Sequence, residues 1–330
     1  VVSSAMERVE GRRIIVTGAT RGLGRAFAEG LAAEGAHVGV NGTDAALVEE
    51  VVTGINASKG VAVGVVGSVA DDSVAEALVD EAVTSFGGLD AVIYAPGITV
   101  LSPIENTDAD TWRSTFETNL FGTLRLIDAA LPILIKQRAG HVMVCSSCLS
   151  VVPTPYYWSY TATKAAQHHL ASAQRYELRE HGVRVSSVHP IGTNTEFYDE
   201  ARRRSARARF LGRPGARHAQ SPERVARAVV AGLRRPRPEI WTHAGARVAF
   251  NLASLTPRLR DAVLRRVASR RAHPARRRAV VGRCIVRGRR EVGLFATPPC
   301  VAVSPASHLG GGRRRRLVAR RTHLLRGLRW

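Results

Sequence analysis

Short apolar, β-branched runs alternate with longer stretches of helical periodicity from Arg12 to about Trp241. This alternation is typical of βαβ units, which build a parallel sheet. The runs are almost continuously apolar, as expected for strands that helices cover on both faces. The predicted strands are Arg13–Thr17, His37–Asn41, Val61–Val66, Ala91–Tyr94, His141–Ser146, Arg184–His189 and Glu239–Thr242.

Helical periodicity fills the stretches between these strands. Helices on both faces of about seven parallel strands give an α/β fold, a doubly wound parallel sheet, with one domain over residues 1–270. An Arg-, Ala- and Gly-rich stretch lies around residues 195–220, and we predict that it forms a lid near the substrate cleft. The clearest predicted helices are Leu23–Glu34, Asp71–Phe86, Asp110–Gln137, Tyr160–His181 and Pro222–Leu233.

Charge is unevenly placed along the 330 residues. The formal net charge is +21, yet residues 1–200 contain 14 Lys and Arg against 23 Asp and Glu. The excess belongs to residues 201–270, with 18 Arg against three acids, and to residues 271–330, with 16 Arg against Glu291 alone. We therefore do not expect the first 200 residues to bind nucleic acid.

The last 60 residues form a basic C-terminal extension. They combine Arg, Gly, Pro, Val and Ala without a sustained period, so residues 271–330 are predicted to be a disordered Arg-rich tail. The sequence leaves open whether this tail lies in solvent alone or contacts an acidic membrane surface or nucleic acid. A shifted reading frame at the end of the gene would produce a similar composition.

Four cysteines include the C-x-x-C pair Cys145 and Cys148 at the end of a predicted strand. No second pair and no ligand-spaced histidines accompany them, so we expect two buried core thiols and no metal site. No apolar run approaches the roughly 20 residues that span a bilayer, and the amino terminus lacks a signal-peptide pattern. These features and the few cysteines predict a cytoplasmic protein.

Closely spaced glycines follow the first predicted strand directly. A turn without Cβ atoms lets the backbone approach a pyrophosphate, and the helix that follows directs its N-terminal amides at the anion. This segment therefore predicts a dinucleotide site. Its candidate contacts are Thr17, Gly18, Thr20, Arg21, Gly22, Leu23 and Gly24.

Tyr160 and Lys164 place a phenol and an ammonium group one helical turn apart. A free tyrosine has a pKa of about 10, which makes it a poor base at neutral pH. A nearby lysine favours the phenolate and is expected to lower that pKa. Ser147 lies 13 residues before Tyr160 at the end of the fifth predicted strand, and Asn119 lies in the helix after the fourth.

The glycine pattern T-G-x-x-x-G-x-G, followed by Asn119, Ser147, Tyr160 and Lys164 at these intervals, resembles the short-chain dehydrogenase/reductase family over about residues 12–242. The resemblance implies a Rossmann-fold oxidoreductase that transfers a hydride between a nicotinamide cofactor and a carbonyl or secondary alcohol. It implies four catalytic residues. Tyr160 exchanges the proton, Lys164 assists it, Ser147 bonds the substrate oxygen and Asn119 holds a water that links the lysine to solvent. It also implies a homodimer or homotetramer.

The resemblance further implies cofactor contacts outside the glycine loop, although several matching segments depart from the family pattern. Tyr94-Ala95-Pro96-Gly97 replaces the usual Asn-Asn-Ala-Gly, and a serine replaces the usual Asp beside the adenine. An isoleucine stands where a glycine is common near the nicotinamide amide. The implied contacts are Ser68, Val69, Ala95, Gly97, Tyr160, Lys164, Pro190, Ile191 and Thr195.

The second predicted strand ends without an acid, although folds that prefer NAD place a carboxylate there for the ribose hydroxyls. The segment reads Val40-Asn41-Gly42-Thr43, and the first acid is Asp44. Arg21 in the glycine loop is placed to pair with a 2′-phosphate, as similarly placed arginines do in family members that use NADP. We therefore favour NADP(H) over NAD(H).

Pro153, Tyr157 and Phe197 flank the catalytic residues and are predicted to line a pocket for a lipophilic ketone or alcohol. The alternative is that these side chains only close the core or a dimer interface. Two other function classes stay open. One is a non-catalytic nucleotide-binding regulatory protein, against which the intact Ser147, Tyr160 and Lys164 argue. The other is a binder of acidic membranes or nucleic acid through the basic C-terminal region.

Overall fold

A seven-stranded sheet forms the centre of the computed structural model, which describes residues 8–205 and 219–272. All neighbouring strands pair in parallel. The strands are β1 (Arg13–Thr17), β2 (His37–Gly42), β3 (Val61–Val66), β4 (Ala91–Tyr94), β5 (Gly140–Cys145), β6 (Val183–His189) and β7 (Glu239–Trp241).

Helices connect the strands and cover both faces of the sheet, so the predicted doubly wound α/β fold is confirmed. The α-helices are α1 (Gly22–Ala33), α2 (Ala45–Ala57), α3 (Asp72–Phe86), α4 (Ala109–Phe116), α5 (Gly122–Gln137), α6 (Trp158–Glu177), α7 (Phe197–Arg203), α8 (Pro222–Arg234), α9 (Ala244–Leu255) and α10 (Pro257–Ala272). One core lies between the sheet and α1, α2 and α8, and a second lies between the sheet and α3, α5 and α6.

The strand order β3-β2-β1-β4-β5-β6-β7 reverses direction between β1 and β4. In doubly wound sheets the loops at such a reversal diverge above and below the sheet and leave a crevice at the carboxyl ends of the strands. The glycine segment follows β1, and the segment Ala95–Gly97 follows β4. The fold therefore brings two predicted cofactor segments to one crevice.

The predicted helix Asp110–Gln137 is divided in the structure. A π-helical turn, Glu117–Phe121, separates α4 from α5. The Tyr94 phenol on β4 donates a hydrogen bond to the Thr118 carbonyl oxygen in this turn. By length and composition alone, the whole stretch Ala109–Gln137 is long and apolar enough to cross a membrane. Its apolar side chains also pack in the core of the domain, among them Leu126, Ile127, Ala130 and Leu134.

Two predicted segments fall partly outside the described residues. Of the predicted lid around residues 195–220, α7 is described and residues 206–218 are not. Of the predicted tail, residues 273–330 are not described. The lid and the disorder of the tail therefore stay predictions.

Candidate active site

A cleft of about 650 Å³ opens at the carboxyl ends of the strands. The glycine loop after β1, the segment after β4, the end of β5, the start of α6 and the loop after β6 all contribute to its lining. The predicted site residues that line it are Gly18, Arg21, Gly22, Leu23, Gly24, Ala95, Gly97, Ser147, Tyr157, Tyr160, Lys164, Pro190, Ile191, Thr195 and Phe197.

The glycine loop is tightly folded against the start of α1. Gly18 has a φ of +61°, in the left-handed region that favours glycine. A β carbon at Gly24 would lie 2.0 Å from the Gly18 carbonyl oxygen, so no larger residue fits there without a shift of the backbone. Arg21 caps α1 without a side-chain hydrogen bond, and Gly22, Leu23 and Gly24 in the first turn line the cleft. This geometry suits an anion at the helix N-terminus.

Helix α6 carries the two central catalytic candidates on the face that meets the cleft. Lys164 is buried, and its Nζ lies 5.6 Å from the centre of the Tyr160 ring. Lys164 Nζ donates a hydrogen bond of 2.8 Å to the Cys145 carbonyl oxygen at the end of β5. Ser146 Oγ donates to the Lys164 carbonyl oxygen at 2.8 Å. The end of β5 therefore holds both the ammonium group and the backbone of Lys164.

Ser147 begins a short 3₁₀ turn, Cys148–Ser150, and its Oγ accepts a hydrogen bond from the Leu149 amide at 3.1 Å. Burial raises the pKa of the Tyr160 phenol far above its ordinary value, and a hydrogen bond with the Ser147 side chain opposes this rise. Desolvation thus outweighs the expected effect of the lysine, and Tyr160 holds its proton.

Burial has the opposite effect on the lysine. It lowers the pKa of Lys164 to about 8, because the ammonium form loses its hydration inside the protein. At neutral pH the side chain is therefore still mostly charged but close to its titration range. A tyrosine that holds its proton and a lysine with a lowered pKa are the arrangement expected of groups that exchange protons in a cleft.

Asn119 lies behind the cleft in the π-helical turn, fully buried. Its Oδ1 accepts from the Ile98 amide at 2.8 Å, and its Nδ2 donates to the Ile98 carbonyl at 2.9 Å and to Thr163 Oγ1 at 3.0 Å. Gln167 Nε2 donates to the Asn119 backbone carbonyl at 2.6 Å. The side chain of Asn119 therefore joins the segment after β4 to α6 and does not itself line the cleft.

Sequence reasoning missed His189, the last residue of β6, which is fully buried behind Ser147. Its Nδ1 lies 3.1 Å from the Ser147 carbonyl oxygen, and its Nε2 lies 2.9 Å from Ser187 Oγ. Its ring stacks on Trp241 at a centroid distance of 4.6 Å. Burial lowers its pKa to about 4, so the ring is neutral at pH 7 and donates from Nδ1, since a carbonyl oxygen only accepts.

Thr99 is a second residue that no sequence signal singled out. Its hydroxyl is buried, lines the cleft and has no hydrogen-bond partner among the described residues. A buried hydroxyl without a partner is costly, and a ligand in the cleft can supply the missing bond. This group and the glycine loop both fit a polar ligand such as a dinucleotide.

Some predicted site residues do not line the cleft. Thr17 Oγ1 donates to the Ile93 carbonyl and so joins β1 to β4. Ser68 Oγ accepts from the Ala70 amide in its own turn, and Val69 packs against the core. Pro153 is exposed to solvent. The predicted contacts outside the lining are Thr17, Thr20, Ser68, Val69, Asn119 and Pro153.

Arg21 is paired with the first acid after β2. Arg21 Nη2 lies 3.5 Å from Asp44 Oδ2, and both side chains are largely exposed. Asp44 also accepts from the Leu47 amide and so caps α2. The guanidinium predicted to meet a 2′-phosphate thus has a carboxylate as its neighbour.

The two cysteines of the C-x-x-C pair are free and buried. Burial raises the pKa of the Cys148 thiol to about 11 and that of Cys145 above its ordinary value. Both thiols are therefore unreactive at neutral pH. Within residues 8–205 and 219–272, no group of three His, Cys, Asp or Glu side chains is arranged to hold a metal ion.

Comparison with known proteins agrees with this geometry. The sequence profile of the short chain dehydrogenase family matches residues 12–206. The chain belongs to this family. With the glycine loop and the Ser147, Tyr160 and Lys164 constellation, membership makes the protein an NAD(P)-dependent oxidoreductase that acts on CH–OH groups.

Named relatives in this family match about two thirds of the chain. An L-rhamnose 1-dehydrogenase (NAD(P)(+)) from Sphingomonas sp. (strain SKA58) is 34% identical over 219 residues, 64% of this chain and 86% of that protein. A 3beta-hydroxysteroid dehydrogenase 1 from Eggerthella lenta is 32% identical over 228 residues, 67% of this chain and 85% of that protein.

Solved structures show the same fold. A short chain dehydrogenase/reductase from Burkholderia phymatum, solved in complex with NAD, superposes with a TM-score of 0.69 at 24% identity. The match covers 77% of this chain and 96% of that one. A dehydrogenase/reductase from Sinorhizobium meliloti 1021 superposes with a TM-score of 0.63 at 26% identity, over 72% of this chain and 97% of that one.

Proposed function

We propose that this short chain dehydrogenase is an NADP(H)-linked enzyme that interconverts a lipophilic ketone and its secondary alcohol, with Tyr160 as the proton-transferring residue. The observation that supports this most strongly is the convergence of Ser147, Tyr160 and Lys164 in the cleft that the glycine loop also lines. A non-catalytic role would leave this arrangement of proton donors without a use.

The cleft fits a nicotinamide dinucleotide at two points. Gly24 packs against the Gly18 carbonyl, as expected of a loop whose backbone approaches a pyrophosphate, and Thr99 offers a hydroxyl that has no partner in the part of the chain that the structure describes. When bound, the cofactor supplies or accepts the hydride. The absence of an acid at the end of β2 and the position of Arg21 support NADP(H), since the guanidinium can pair with a 2′-phosphate in place of Asp44.

In the reducing direction Ser147 Oγ donates a hydrogen bond to the substrate carbonyl oxygen and holds it beside the Tyr160 hydroxyl. As the carbonyl carbon accepts a hydride, the oxygen gains negative charge and takes the phenolic proton. Burial keeps that proton on Tyr160 until then. The Lys164 ammonium favours the phenolate that results, and protons from solvent restore the phenol. Oxidation of the alcohol reverses these steps.

The substrate class follows from the side chains around the catalytic residues. Leu149, Tyr157, Ile191 and Phe197 present apolar surface to the cleft, and the Phe197 ring lies 5.5 Å from the Tyr160 ring. An apolar wall beside the reacting atoms suits a lipophilic substrate. Helix α7 belongs to the predicted lid and supplies Phe197, so we expect the lid to contact the substrate.

We further propose a cytoplasmic homodimer or homotetramer, which rests on the family resemblance. Light scattering coupled to gel filtration measures the mass of the particle, and a monomer would contradict this proposal.

The proposed function is tested by titrating NADPH and NADH into the purified protein and then assaying a panel of ketones of increasing apolar surface. We expect tighter binding of NADPH, and turnover that rises with the apolar surface of the ketone. Ser147→Ala should lower kcat at least about tenfold more than Ser146→Ala, because only Ser147 bonds the reacting oxygen. Equal losses in the two variants would contradict the proposed role, and tighter binding of NADH would contradict the proposed cofactor.

A further inference from the structure

A row of large apolar side chains lies in solvent on the two helices that follow β7. They are between 50% and 78% exposed, although the core accounts for most other large apolar residues. Their spacing of three or four residues places the members within each helix on one side of it. We call this row the C-terminal apolar stripe. It consists of Val248, Leu252 and Leu255 on α9 and Leu259 and Val263 on α10.

The opposite side of α9 is anchored to the domain. The Phe250 ring lies 6.3 Å from the Trp241 ring on β7. Ser254 Oγ donates to the Val151 carbonyl oxygen at 3.0 Å, in the loop that follows Ser147 and its 3₁₀ turn. On α9 the stripe therefore lies opposite a side that is already packed, so its α9 members have no role in closing the core.

Arginines flank the stripe. The exposed side chains of Arg247, Arg258, Arg265 and Arg266 lie on the same two helices, where Asp261 is the only acid and pairs with Arg260. The surface thus combines apolar and cationic side chains in one place.

The combination of aliphatic and cationic side chains discriminates between three classes of binding partner for this surface. Nucleic acid would bind the arginines but gives no reason for five exposed aliphatic side chains beside them. A second copy of the same surface would bury the aliphatic groups but would bring arginines against arginines, because a two-fold interface uses the same patch on both subunits. An anionic lipid bilayer accepts both, since aliphatic side chains enter the acyl boundary and arginines contact the headgroups.

We propose that the C-terminal apolar stripe and its arginines form a docking surface for anionic lipid membranes. The surface is independent of the hydride chemistry and does not depend on the identity of the substrate. Helix α9, which carries part of this surface, also contacts the loop after Ser147, because Ser254 donates a hydrogen bond to the Val151 carbonyl oxygen.

Sedimentation of the full-length protein with vesicles tests the proposal. We expect binding to phosphatidylcholine vesicles that contain phosphatidylglycerol, weak binding to phosphatidylcholine alone, and a decrease with added salt. The double variant Leu252→Ser/Leu255→Ser should partition at least about tenfold less. Arg258→Gln and Arg265→Gln should each lower it about fivefold. The matched control Val61→Ser/Val66→Ser removes two exposed valines from β3, at the opposite edge of the sheet, and should bind as the wild type does.

Three results would overturn the proposal. The first is wild-type protein that ignores vesicles with phosphatidylglycerol. The second is a leucine double variant that binds like the wild type, which would assign binding to the arginines of the tail alone. The third is a particle mass that halves in the leucine double variant while vesicle binding is absent, which would make the stripe an interface between two copies of the chain.

Discussion

Lys164 offers a quantitative test of the electrostatics of the site, because it is a buried ammonium group and one of only three lysines in the sequence. The substitution Lys164→Met keeps an unbranched apolar stem and removes the titrating group. It also leaves the Cys145 carbonyl without its donor, a loss that does not depend on pH in the range considered. The informative quantity is therefore the difference in unfolding free energy between wild type and variant as a function of pH.

The magnitude follows from the lowered pKa. Folding moves the pKa of Lys164 from 10.5 to about 8, and one pKa unit corresponds to about 1.4 kcal/mol. Between pH 8 and 10.5 the unfolded chain binds more protons at this site than the folded chain, so wild-type stability rises with pH there. From pH 7 to pH 10 the wild type should gain about 2.5 kcal/mol relative to Lys164→Met.

Urea denaturation followed by tryptophan fluorescence at several pH values measures this difference. Groups that do not interact with Lys164 titrate equally in both proteins and cancel, and burial keeps the pKa of the neighbouring Cys145 thiol above its ordinary value in both. Lys136→Met at the exposed last turn of α5 is the matched control, and its difference from the wild type should stay flat from pH 7 to pH 10. Parallel stability curves for wild type and Lys164→Met would refute the assignment of Lys164 as a buried ammonium with a lowered pKa.

Three further predictions concern the cleft. His189→Phe removes the group that donates a hydrogen bond to the Ser147 carbonyl oxygen, so it should lower kcat about tenfold with little change in KM. An unchanged kcat would exclude a positioning role for His189. Asp44→Asn keeps the cap of α2 but removes the carboxylate that pairs with Arg21. Calorimetry should then show NADPH binding about fivefold tighter and NADH binding unchanged. An equal gain in NADH binding would contradict this prediction. Gly24→Ala should abolish cofactor binding, whereas Gly54→Ala, with open space around it, should not.

The fold could be predicted because its signals are local. Strands covered on both faces are apolar throughout, so β1, β3 and β4 were predicted with the observed bounds and the other four within one residue at each end. Ser147, Tyr160 and Lys164 could be predicted because they sit at the end of one strand and on one face of the next helix, where spacing alone decides their positions.

Other features depend on contacts between residues far apart in the sequence. The π-helical turn is fixed by bonds from Asn119 to Ile98 and to Thr163, 21 and 44 residues away, which no local pattern reveals. His189 reaches the Ser147 carbonyl across 42 residues. The sequence also predicted that Lys164 lowers the pKa of Tyr160, but the extent of burial, which is a tertiary property, makes desolvation the larger effect.

A single-turnover experiment with Tyr160→Phe tests whether Tyr160 transfers the proton in a cleft that binds the nicotinamide cofactor. The enzyme is saturated with NADPH, mixed with a ketone that the wild type reduces, and followed by the loss of NADPH absorbance. We expect the variant to bind NADPH within a factor of about two of the wild type, while the rate of NADPH oxidation falls at least about 10³-fold. Oxidation at the wild-type rate by a variant that still binds NADPH would contradict it.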